Sequence, residues 1–70
     1  MAITFREIGR SRKKELEFSS SGADWIALWD GEVIAEEPIR KGQTRPPKSF
    51  IHIAKQYIED TKGIKLKRLV

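Results

Sequence analysis

Eight basic residues fall in two short runs, Arg10, Arg12, Lys13 and Lys14 in one and Arg40, Lys41, Arg45 and Lys48 in the other. Cations at this density can do phosphate chemistry. Each one that meets a phosphate releases a condensed counterion, and that release drives association. In the second run Gly42 adds a turn former and Thr44 a hydroxyl, so the stretch from Arg40 to Arg45 could wrap a sugar-phosphate backbone. A soluble connector can carry the same residues. Trp25 and Trp29 are the other candidates. An exposed indole stacks a nucleic-acid base with about 1–3 kcal/mol. A buried pair would instead be core or a dimer interface.

Catalytic chemistry has little to work with. There is no Cys and a single His, His52, so nucleophilic thiols, redox chemistry and a dense metal site all lack their residues. An acyl-transfer triad needs a His as proton relay, and His52 falls on the polar side of a predicted helix. Glu36 and Glu37 are neighbours, so on a strand they point to opposite faces and cannot work as an acid–base pair. Asp24, Asp30 and Glu32 could gather at one hairpin end, but without the spacing of a calcium loop. No glycine pattern matches a phosphate loop. The expectation is a binding domain with no catalysis, metal or cofactor.

The chain has 70 residues and a formal net charge of +4, unevenly spread. Residues 1–22 hold five bases and three acids, residues 23–39 five acids and no base, and residues 40–70 nine bases and two acids. The length fits one domain over 1–70. A chain this small buries only about 60% of its unfolded surface, so tight packing or self-association should supply stability. The longest apolar run, Trp25 to Trp29, is far short of the ~20 residues of a membrane helix. Residues 1–6 show no apolar signal-peptide segment. A cytoplasmic or nucleoid-associated setting is the expectation.

The elements that must position these residues follow from periodicity. Residues 3–8 and 15–18 alternate polar and apolar as half-buried strands do. Residues 19–22, three Ser and a Gly, read as a loop. Asp30-Gly31 separates apolar runs at 25–29 and 32–36, the strongest short hairpin signal. A two-residue turn pairs Trp29 with Glu32, Leu28 with Val33, Ala27 with Ile34 and Ile26 with Ala35. One face then carries Ile26, Leu28, Val33 and Ala35. The other carries Trp25, Ala27, Trp29 and Ile34 beside Glu32 and Glu36, whose carboxylates would repel phosphates and so favour a core role for the indoles. Pro38 should end its strand or confine it to an edge. A helix starts near Pro47, with Phe50, Ile51, Ile53, Ala54, Tyr57, Ile58 and Thr61 in one core-facing arc, and Gly63 ends it. Residues 64–70 read as a basic edge strand or a frayed tail. The fold class is α+β: an antiparallel four-stranded sheet, with a possible fifth C-terminal strand, and one C-terminal helix packed on one face.

Residues 40–50, Arg-Lys-Gly-Gln-Thr-Arg-Pro-Pro-Lys-Ser-Phe, running on to Ile53 and Ile58, resemble the end of the positive cofactor 4 transcriptional coactivator domain. In that family a basic strand ends in Lys-Gly, a hydroxyl residue follows, and a Pro-started helix carries an aromatic. Phe5, Ile8-Gly9, Leu16 and Phe18 fall where it has its first strands. Gln43 and Arg45 stand where it prefers apolar residues. The resemblance implies transcription regulation by a homodimer that binds single-stranded or melted DNA, with helices at the dimer interface and strands gripping the nucleic acid. The sequence reading is thus a small non-catalytic DNA-binding domain. Arg40, Lys41, Arg45 and Lys48 would contact phosphate, Arg10, Arg12, Lys13 and Lys14 would extend the footprint, and Trp25 or Trp29 would stack. The rival reading is a protein-interaction module that uses the acidic, Trp-bearing hairpin.

Overall fold

The computed structural model describes residues 3–7 and 14–68. Five strands and one helix follow in order: β1 (Ile3–Glu7), β2 (Glu15–Ser21), β3 (Asp24–Trp29), β4 (Glu32–Pro38), α1 (Lys48–Lys62) and β5 (Leu66–Arg68). The sheet is antiparallel, in the order β4-β3-β2-β1-β5. The expected α+β architecture is present, and the basic C-terminal segment is its fifth strand, paired with β1. Residues 19–21 are not loop. They extend β2 and pair with Ile26, Trp25 and Asp24, because the ladder satisfies their backbone groups while their short side chains stay exposed.

Turn chemistry sets the hairpins. Asp30 and Gly31 have φ of 53° and 84°, the two positive values a type I′ turn requires. Gly22 alone is positive in the two-residue turn between β2 and β3, with φ of 59°, the pattern of a type II′ turn.

The β3–β4 ladder starts in the expected register and then departs from it. Trp29 faces Glu32 and Leu28 faces Val33, but Ala27 faces Ala35 and Ile26 faces Glu36. Ile34 is the extra residue of a β-bulge. A bulge places two residues opposite one and reverses which face later residues occupy. Ile34 and Ala35 therefore both pack against the core. Glu36 moves to the face opposite the indoles, and Glu37 takes the place beside Trp25. The expected register, with Glu36 on the tryptophan face, is corrected by this one residue.

The core lies between the sheet and α1. Ile3, Phe5, Leu16, Phe18, Trp25, Ala27, Trp29 and Leu66 line the sheet side, and Phe50, Ala54 and Ile58 the helix side. Phe18 is fully buried and meets Phe5 and Phe50 edge-on, at centroid distances of 6.1 and 5.8 Å. Such T-shaped pairs are favourable beyond the area they bury. The helix is rotated from the expected arc. Phe50, Ala54 and Ile58 are buried, but Ile53 is 65% exposed and Tyr57 54%. On its other flank, Lys55 reaches over the Phe5 ring at 6.0 Å and ion-pairs with Glu59 at 3.5 Å, and Glu59 accepts the Leu66 N–H at 2.9 Å. These contacts join that flank to β1 and β5. The helix ends as expected. Gly63 is left-handed at φ 65°, and the Ile64 N–H bonds the Glu59 carbonyl at 3.3 Å, a Schellman closure.

Candidate nucleic-acid interface

The loop from Ile39 to Pro47 carries three cations of the second basic run, with Lys48 following as the first residue of α1, and core contacts hold the loop's backbone. Ile39 donates its N–H to the Ala23 carbonyl at 2.8 Å and packs against the core. Gln43 donates its N–H to the Arg40 carbonyl at 3.1 Å. Gly42 sits between them at φ 87°, where a type II turn demands glycine. The Gln43 side chain turns inward. Its Oε1 accepts the Trp25 indole N–H at 2.9 Å and the Arg40 N–H at 2.8 Å. Pro46 is buried. Pro47 is the extended residue before α1, and its carbonyl accepts the Ile51 N–H at 3.1 Å.

With the backbone fixed this way, the cations face outward. Arg40, Lys41, Arg45 and Lys48 are exposed, as is Thr44. None of the four cations ion-pairs with a described residue. From Ile39 to Ile58 the sequence has no carboxylate, although the loop leaves the sheet beside Asp24 and Glu37. A loop of exposed cations on a held backbone suits an anionic ligand, because the backbone has little freedom left to lose on binding.

The structure separates the other sequence candidates from this loop. Lys14 is exposed, but it precedes Glu15, whose carbonyl accepts the Asp30 N–H at 3.0 Å. It therefore sits at the Asp30-Gly31 end of the sheet, roughly 17 Å along β3 from the end that carries the loop. A single groove that joins both basic runs is not formed by the described residues. Arg10, Arg12 and Lys13 lie outside them. Trp25 and Trp29 share a face, as the sequence implied, but they are 7% and 8% exposed, beneath the helix side of the sheet. Neither offers a free ring face for stacking, which corrects their assignment to the binding site. The same burial removes the indoles from the surface that the rival hairpin reading would use.

Sequence reasoning missed Gln43. It stands out only once Trp25 is known to be buried, because a buried indole N–H needs an acceptor. The reading also left out Lys62, Lys65 and Lys67, which extend exposed positive charge past the end of α1. Among the described residues, Glu59 has a carboxyl whose titration is displaced by its surroundings. The backbone N–H of Leu66, helped by Lys55 and Lys65 and opposed by burial, holds its carboxyl below the ordinary value. His52 is exposed on α1. Among the described residues no three His, Cys, Asp or Glu side chains gather as a metal site, and no helix is long and apolar enough to cross a membrane.

No family model, curated protein or solved structure matches this chain.

Proposed function

We propose that this protein is a small, non-catalytic nucleic-acid-binding domain that grips the sugar-phosphate backbone with Arg40, Lys41, Arg45 and Lys48. One observation carries the reading: Arg40, Lys41 and Arg45 are exposed on a loop whose backbone is tied to the core through Gln43, Ile39 and Pro46, Lys48 is exposed at the first position of α1, and none of the four ion-pairs with a described residue. The resemblance to the coactivator domain favours single-stranded DNA and a role in transcription regulation, and the reading keeps the cytoplasmic or nucleoid-associated setting expected from the sequence. With both indoles buried, recognition rests on phosphates rather than on stacked bases, so affinity should depend little on sequence.

The same reading includes a homodimer. Ile53 and Tyr57 are one turn apart on α1 and more than half exposed, and residues so spaced form one contact patch. A two-fold axis beside the helix would set this patch against its copy.

The deciding experiment is a binding screen of single-stranded DNA, duplex DNA and RNA across a salt series, read by gel shift and tryptophan emission. Four phosphate contacts on a single strand predict a log–log salt slope of about −3. No gel shift with any of the three at low salt would sink the proposal.

A further inference from the structure

We propose that the sheet face opposite α1 docks a basic amphipathic helix from a protein partner. Among the described residues the one helix covers one side of the sheet, and register defines what the other side presents. Ile26 and Leu28 alternate with the buried residues of β3, and Val33 stands directly across from Leu28 on β4. Ile26 and Leu28 are half-buried and Val33 is 50% exposed. They form an apolar patch about 7 Å long on adjacent strands, which one or two turns of helix can cover.

Carboxylates surround this patch. Glu17 lies across from Leu28 on β2, Glu36 lies across from Ile26 on β4, and Asp24 is two residues before Ile26 on the same face. Asp30 and Glu32 are exposed at the adjoining hairpin tip. Among the described residues, the cations of this face are Arg6 on β1 and Lys67 on β5. Arg6 is spent on Glu15 at 3.0 Å, and Lys67, paired with Arg6 on β5, is three strands from β3, about 14 Å away. An apolar centre inside an acidic rim fits apolar side chains flanked by Lys or Arg. The bulge at Ile34 builds this chemistry, because it turns Ala35 inward and brings Glu36 out beside Ile26.

Charge also argues against a second copy stacked face to face, since Glu17, Asp24 and Glu36 would then meet their own kind. Nucleic acid is disfavoured here for the same reason. The surface is small, so the contact belongs to the weak, transient class. It lies on the face opposite the helix into which the basic loop leads, and it stands independently of the nucleic-acid reading.

The test uses the whole chain and two synthetic helical peptides with the same apolar stripe, one flanked by Lys and the other by Glu. Binding is followed by amide chemical shifts. The Lys peptide should shift Ile26, Leu28 and Val33, and the double variant Glu17→Gln/Glu36→Gln should bind it about tenfold more weakly. Val33→Glu, a change at an exposed position, should abolish the apolar contact while the fold persists. Arg40→Glu/Lys41→Glu should leave peptide binding unchanged, which separates this face from the phosphate loop. Equal binding of the two peptides, shifts confined to α1, no binding of the Lys peptide, or concentration-dependent shifts at Val33 in the free protein would each overturn the proposal.

Discussion

The Trp25 indole N–H and the Gln43 side-chain oxygen, eighteen positions apart in sequence, meet at 2.9 Å. That oxygen also accepts the Arg40 N–H. One side chain thus ties a core tryptophan to the backbone of the loop that carries Arg40, Lys41 and Arg45.

Replacement of Gln43 should therefore act at two levels. Gln43→Ala strands a largely buried indole N–H, which costs about 1–3 kcal/mol, and it frees the Arg40 N–H. Thermal unfolding should show the loss, and Trp25 emission should change in the folded state. Affinity for single-stranded DNA should fall although no cation is removed. Gln43→Glu, which keeps the acceptor, should retain most of the stability.

Charge reversal at Arg40 and Lys41 should weaken DNA binding with almost no loss of stability, because both side chains are exposed and unpaired. Exposed substitutions of this kind usually move stability by less than about 0.5 kcal/mol. The salt slope should become shallower by about 1.4, which corresponds to two lost contacts on a single strand. An unchanged slope removes this loop from the interface.

Acid should loosen the attachment of β5 to the helix. Glu59 is held below the ordinary carboxylate value of 4.5 by the Leu66 N–H first and by Lys55 next. A carboxyl with a depressed folded-state pKa contributes its stability above the unfolded value, and this contribution is lost as pH falls through the folded value. Glu59→Gln should cost about 1 kcal/mol at neutral pH. The gap to the parent protein should close as the pH drops below 4.5 toward the folded value. Thermal melts across that range measure it. A gap that stays constant with pH would assign Glu59 no electrostatic role.

Ile53→Lys with Tyr57→Ser should shift sedimentation equilibrium toward monomer without lowering the melting temperature of the monomer. A parent chain that is already monomeric at high concentration removes the helix-to-helix dimer.

The parts of this fold legible in the sequence are those fixed by local chemistry. Asp30-Gly31 admits few turns, so the hairpin and its first two pairs follow directly. Pro47 and Gly63 bracket the helix because one cannot donate a backbone hydrogen bond and the other tolerates a left-handed backbone. What the sequence hid depends on tertiary balance. Apolar pattern alone does not distinguish an Ile34 that continues a ladder from one that bulges. The helix arc contained more apolar residues than the sheet covers, and the side chains left outside, Ile53 and Tyr57, are set by how the whole helix seats on the sheet. The candidate site was half legible. The cations of the 40–48 stretch were visible as chemistry, but their distance from Lys14 follows from strand order, which no local pattern encodes.

The bulge at Ile34 has a consequence for the edge that β4 forms. A seven-residue outer strand with unpaired backbone groups is a template on which another chain could grow a continuous sheet. The extra residue breaks the regular spacing of those groups, Pro38 removes a donor near the end, and Glu32, Glu36 and Glu37 add like charges to any identical neighbour. The irregularity that sorts side chains between the two faces thus also guards a thin, edge-exposed protein against fibril growth.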